Sequence, residues 1–139
     1  MLNKVALGFD FGLRHIGVAI GQTITHTARP LTSLKAKAGI PGWPELTHLI
    51  QIWHPQALVV GIPLNMDGTE QAITRAAKSF ANSLGKRYQL PIYTVDERLS
   101  TVEARAQLFA SGGYKALEKE NIDQLAATLI LQNWLDKQS

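Results

Sequence analysis

GFDFGLRHIGVAIG, Gly8 to Gly21, is the stretch from which the fold can be read. Val5, Leu7 and Phe9 alternate with Ala6, Gly8 and Asp10, and Ile16, Val18 and Ile20 alternate with Gly17, Ala19 and Gly21. A period of two marks a strand with unlike faces, and two such runs joined by a short glycine-bearing loop read as a hairpin. One face of that hairpin is bulky and apolar. The other is built of small residues, and on it the first strand ends in a carboxylate. Aspartate is a poor strand former and its charge is costly to bury without a partner. Asp10 therefore either starts a turn or holds a partner.

Downstream, a third strand is expected over His26 to Leu34, followed by a loop, AKAGIPG. Pro44 opens a helix with Leu46, Leu49, Ile50 and Trp53 on one stripe, and Pro55 stops it. ALVVG, Ala57 to Gly61, is a continuous apolar run of the buried parallel type. A helix is predicted from about Thr69 to Leu84, then a short strand, IYTV, from Ile92 to Val95. Ser100 and Glu103 form a capping box for a helix reaching about Ala110, and SGGYKALEKE reads as a polar loop. Asn121, with Gln124 three residues on, caps a last helix. The order β-β-β-α-β-α-β-α-α predicts an α/β fold: a mixed five-stranded sheet with helices on both faces, in a single domain over residues 1–139.

Composition narrows the function. With no cysteine among 139 residues, disulfides, thiolate metal sites and a cysteine nucleophile are excluded. An apolar content of 45% is that of a globular chain. The N-terminus does not read as a signal peptide and no apolar run is long enough to span a bilayer, so a cytoplasmic location is expected. Fourteen basic against 11 acidic residues give a net charge of +3, an excess compatible with a polyanionic partner.

Three acidic residues stand at informative places. Asp10 ends the first strand on its small face, and Glu97 lies just past the last strand in phase with Tyr93 and Val95. Asp123 opens the stripe Asp123, Ala126/Ala127, Ile130, Trp134 of the last helix. Singly, each has a structural reading: a turn former, a solvated strand end, a charge complementing a helix dipole. Together they could converge where a sheet gathers its strand ends. Carboxylate oxygens suit hard cations such as Mg²⁺, and a carboxylate cluster holding such ions can activate water against a phosphodiester.

FDFGLRHIGVAIG, VVGIPLNMDGT, VDERLST and IDQLAATLILQ, in that order and across essentially the whole chain, resemble the YqgF family, also called RuvX, of Holliday-junction-resolvase-like nucleases. The resemblance implies a ribonuclease-H-like fold. It also implies that Asp10, Glu97 and Asp123 are catalytic and bind Mg²⁺ or Mn²⁺, acidic residues in such folds coming from the first strand, a later strand end and the last helix. The implied activity is metal-dependent hydrolysis of phosphodiester bonds, in trimming the 5′ end of precursor 16S ribosomal RNA or in resolving branched DNA. Structured nucleic acid is then the expected partner, in precursor ribosomal particles for the RNA substrate. The small face beside Asp10 is expected to leave room for metal and phosphate.

Around that site, Arg14 and Arg98 are placed to contact the nucleic-acid backbone, and Lys115 extends a basic track with Arg75, Lys78, Lys86, Arg87 and Lys119. GIPLNMDGT follows a buried strand and precedes a helix, so Asn65, Gly68 and Thr69 are candidates to meet a phosphate through backbone amides. The loop lacks the lysine of an NTPase phosphate loop. The four histidines show no metal-ligand spacing, and only His15 lies near the proposed site. Two other classes compete: a kinase or ATPase of the actin and sugar-kinase type, which needs two such domains, and a nucleic-acid-binding transcription regulator that does not cut.

Overall fold

The computed structural model describes residues 3–97 and 119–138. Six strands, β1 (Val5–Asp10), β2 (His15–Gln22), β3 (Thr27–Lys37), β4 (Ile40–Pro41), β5 (Ala57–Ile62) and β6 (Ile92–Asp96), form one sheet in the order β4-β3-β2-β1-β5-β6. β1 to β4 meander antiparallel, whereas β5 and β6 run parallel to β1. Helices α1 (Trp43–Trp53), α2 (Ala72–Tyr88) and α3 (Lys119–Asp136) are the helices among the described residues.

The two faces of the first hairpin fill as their side chains dictate. Leu7, Phe9, Ile16, Val18 and Ile20 join Leu58 and Val60 in a core shared with Leu46 of α1 and Phe80 and Leu84 of α2. Phe80 anchors it, edge-on to Phe9 at 5.7 Å and stacked with Trp43 at 6.4 Å. On the opposite face, Ala6, Ala19, Ala57 and Val59 meet Ile130, Leu131, Trp134 and Leu135 of α3. Small residues on the sheet let large ones on the helix come close. A Cβ on Gly8 would lie 2.7 Å from that of Leu131, and one on Gly21 2.8 Å from Leu135 Cδ1. The small face is therefore the seat of α3, and does not serve chiefly as the room for metal and phosphate that was expected of it. Gln132 fixes the helix across β3: its Oε1 accepts from the Ala28 amide at 3.1 Å, and its Nε2 donates to the His26 carbonyl at 2.6 Å.

Four local expectations change. The AKAGIPG loop is instead the end of β3, a tight turn and β4, which makes the sheet six-stranded rather than five-stranded, because Ala38 and Gly39 both take positive φ (50° and 81°) as a two-residue hairpin turn requires. α2 starts at Ala72, where Gln71 and Thr74 exchange capping hydrogen bonds, and runs on to Tyr88. α3 is already helical at Lys119, ahead of the cap expected at Asn121, so Asp123 lies one turn inside it. β3 begins at Thr27 and carries a bulge opposite Val18 and Ala19, beside Pro30, which has no amide to give the ladder. The capping box at Ser100 and Glu103, its helix, most of SGGYKALEKE, Arg98 and Lys115 lie outside the described residues.

Candidate active site

The three acidic residues meet at one end of the sheet, on the α3 face. Asp10 is the last residue of β1, and its register partner on β2 is Gly17. A Cβ on Gly17 would run into the backbone carbonyl of Asp123, so this glycine lets α3 lay Asp123 beside Asp10. On the other side of β1, Phe9 pairs with Val60, which puts Gly61 next to Asp10. A Cβ on Gly61 would collide with Glu97 Oε2 and Ile130 Cδ1. The Glu97 amide donates to the Ile62 carbonyl at 3.2 Å, so its backbone stays tied to β5 just beyond the end of β6. Two missing side chains, one on each flanking strand, make the space that the Asp123 backbone fills at Gly17 and the Glu97 carboxylate at Gly61. Their signal in the sequence is a glycine at the small-face position nearest the strand end. It identifies a close approach without naming what approaches.

The environment of the three is unlike that of surface acids. Asp123 is buried at 4% exposure, and Asp10 and Glu97 are half-buried. Loss of solvent pushes the Glu97 carboxyl up to about 9, helped by the charge of Asp10, a hydrogen bond with Asp10 and the charge of Asp96. Asp96, one residue away, has the opposite strand parity and is exposed. Glu97 Oε2 is buried with no hydrogen-bond partner among the described residues. As the side chains stand, no three acidic or histidine groups among the described residues are at metal-ligand spacing. Burial and the neighbouring Asp10 favour the protonated form of Glu97, a proton that a cation would have to displace. An all-oxygen donor set, crowded negative charge and a buried carboxylate oxygen lacking a donor fit a hard divalent cation.

Other candidates fall where the chain order puts them. Arg14 is exposed in the β1–β2 loop, close to the carboxylate end of β1. Asn65, Gly68 and Thr69 form a closed turn ahead of α2. The Asn65 amide donates to the Thr69 carbonyl at 2.9 Å, and Gly68 takes a φ of 88°. The amide and hydroxyl of Thr69 both donate to Asp67 Oδ1, at 2.9 and 2.6 Å. Asp67 thus holds the donors of Thr69, the amides of Asn65 and Gly68 go to carbonyls of the same turn, and α2 begins three residues later. Arg75 and Lys78 lie on α2, and Lys78 is engaged by Glu70 at 2.7 Å.

The model of one protein family, described as RuvX, Holliday junction resolvase, matches residues 4–137. The chain belongs to the RuvX family. Among its relatives, a protein of Proteus mirabilis (strain HI4320) is 54% identical over 138 residues, spanning 99% of either chain, and bears the provisional name pre-16S rRNA nuclease. Solved structures share the fold at low identity. RuvC of T. thermophilus in complex with a Holliday junction substrate superposes with a TM-score of 0.59 at 17% identity, covering 96% of this chain and 94% of that one. The Fowlpox virus resolvase with Holliday junction DNA gives 0.59 at 8% identity, covering 95% and 97%. The ribonuclease-H-like arrangement of resolvases is therefore the fold of this RuvX chain, with the short strand β4 as a sixth member of its sheet.

Proposed function

We propose that the protein is a metal-dependent nuclease whose centre is Asp10, Glu97 and Asp123, and that its substrate is the precursor of 16S ribosomal RNA, trimmed at the 5′ end. The observation that carries this reading is the placing of three acidic residues, from β1, the end of β6 and α3, at one end of the sheet around Gly17 and Gly61. RuvX membership and the name borne by the 54% identical relative support the reaction class and the RNA substrate. No helix among the described residues is long and apolar enough to cross a membrane, which is compatible with action on cytoplasmic ribosomal precursors.

The three side chains would hold Mg²⁺ or Mn²⁺. Such an ion, when bound, activates a water and steadies the leaving oxygen of a phosphodiester. Asp10 supplies a carboxylate from an internal strand, hydrogen-bonded on both sides. Glu97 must give up its proton before it can ligate, so cation binding and proton release are linked at this residue. Asp123 is oriented by the close seat of α3 on Gly17. Arg14, exposed at the same end, is placed to meet a substrate phosphate, and Arg98 and Lys115 are proposed for the same role from the sequence.

A second reading, resolution of branched DNA, draws on the family's description and on the junction-bound resolvases that share the fold. The deciding experiment incubates purified protein and Mg²⁺ or Mn²⁺ with a precursor 16S RNA fragment and, separately, with a four-way DNA junction. Cleavage of the RNA near the mature 5′ end supports the first reading, and symmetric nicking of the junction alone supports the second. A protein that binds nucleic acid and cuts neither would be a regulator on a nuclease fold.

A further inference from the structure

The outer part of β3 carries a basic strip that the acidic site does not explain. Leu34 lies in the core under α1 and α2, and Ala36 packs against that core. Strand alternation therefore turns Ser33, Lys35 and Lys37 to the opposite face, the face on which Asp10, Glu97 and Asp123 meet. Register gives the position along the sheet. Asp10 pairs with Gly17 and Gly17 with Ser33, so these three share one row across the strands. Lys35, paired with His15, lies two residues further toward the site end. With strands about 4.8 Å apart and a rise of about 3.3 Å per residue, its Cα is roughly 12 Å from that of Asp10. At the β3 end of the Asp10 row, Ser33 Oγ is buried without a hydrogen-bond partner among the described residues.

The strip is held firmly and is open to solvent. The Ala36 amide donates to the Arg14 carbonyl at 2.8 Å and the Gly39 amide to the Leu13 carbonyl at 3.0 Å, which ties the β3–β4 turn to the β1–β2 loop. Lys35 and Lys37 are exposed, and among the described residues the one ion pair is Lys78 with Glu70, far along the chain on α2. At the β3–β4 edge of the sheet, Arg14, His15, Lys35 and Lys37 line a cleft of about 640 Å³ that reaches Ala36 and the start of α1, where Glu45 is its single acid. Three permanent positive charges against one negative, beside a phosphodiester-cleaving centre, complement a polyanion.

We infer that Lys35 and Lys37 on the outer face of β3 bind the sugar–phosphate backbone of the substrate strand to one side of the scissile bond, with Arg14 between them and the carboxylates. This inference rests on the nuclease reading and adds residues and a direction to it. Backbone contacts of this kind position a strand without reading its sequence. Each released counterion contributes about 0.7 to 0.9 to the slope of log affinity against log salt.

The test compares Lys35→Ala/Lys37→Ala with Lys4→Ala/Lys137→Ala, exposed lysines away from this strip whose loss changes net charge equally. All proteins also carry Asp10→Asn, so that binding to a precursor 16S RNA fragment and to a four-way DNA junction is measured without cleavage. The β3 pair should flatten the salt slope by about 1.4 to 1.8, so that affinity falls about tenfold less between 50 and 200 mM salt than for the parent. Ethylation interference in the parent should mark phosphates on one side of the cleavage position, and those marks should vanish in the β3 variant. With Asp10 restored, the β3 variant should raise KM and keep kcat. A slope and interference pattern like the parent's, or equal loss in the control pair, overturns the strip and leaves the nuclease reading intact. A parent that binds and cleaves no nucleic acid overturns both.

Discussion

Glu97→Gln should make the metal-free protein increasingly stable relative to the parent as pH rises. A glutamate normally titrates near 4.5, whereas burial and Asp10 raise the folded value to about 9. Between those values the folded parent binds about one more proton than the unfolded chain, so stability falls with rising pH. The contribution is complete below about pH 4.5 and is lost on the way to 9. One proton gained on folding makes the slope negative throughout this range, on the order of 3 kcal/mol between pH 5.5 and 7.5, and it belongs to the Asp10–Glu97 pair as a unit. Glutamine has the shape of the protonated acid and no proton to lose, so that component of the slope disappears. Urea unfolding of parent and variant in EDTA at pH 5.5, 6.5 and 7.5 measures the difference, and groups unrelated to the site cancel. Parallel stability curves would refute the reasoning. The same linkage predicts that Mg²⁺ binding to the parent near pH 7 releases about one proton, read from calorimetry in buffers of different ionisation enthalpy.

Gly17→Ala places a methyl on the Asp123 carbonyl, which cannot swing aside, and should cost about 1–3 kcal/mol while reducing cleavage. Gly42→Ala, whose new methyl would meet only the flexible Glu45 carboxyl at 3.5 Å, is the control in the same urea titration. Asp10→Asn, Glu97→Gln and Asp123→Asn should each abolish cleavage with the circular dichroism of the fold kept, whereas Asp96→Asn, of opposite parity, should stay active; a fully active Asp10 variant removes the mechanism. Arg14→Ala should weaken nucleic-acid binding with little sequence preference and flatten the salt slope by roughly one, and an unchanged slope assigns the contact elsewhere.

What could be read from the sequence follows the physics of each signal. The two faces of β1 and β2 were legible because a period of two runs through both halves of Val5 to Gly21; Asp10 and Glu97 were legible as charges at strand ends and Asp123 as the charge opening a helix stripe, while their grouping into one centre came from the resemblance. The occupant of the small face was not. Alternating glycine and alanine report only that something comes close, and α3 rather than a metal and phosphate accounts for most of that closeness. β4 was hidden because Ala38 adopts a positive φ that alanine does not advertise. The start of α2 was set too early because Asp67, Gly68 and Thr69 look like a helix entry, while their hydrogen bonds close a turn of their own.

Gln132 gives α3 a pivot. Nine residues separate it from Asp123, about 13.5 Å along the axis at 1.5 Å per residue. Its side chain is pinned to the backbone of His26 and Ala28 in the β2–β3 hairpin, well away from the carboxylates. A tilt of about 5° around that pin would carry Asp123 by roughly 1.2 Å, a displacement large enough to cost a reaction about a hundredfold. The aim of the acidic centre is thus set partly at the far end of a lever, by a glutamine that touches no substrate. Shortening that side chain should leave the core packed and the three carboxylates in place by sequence, and yet put the instrument out of alignment.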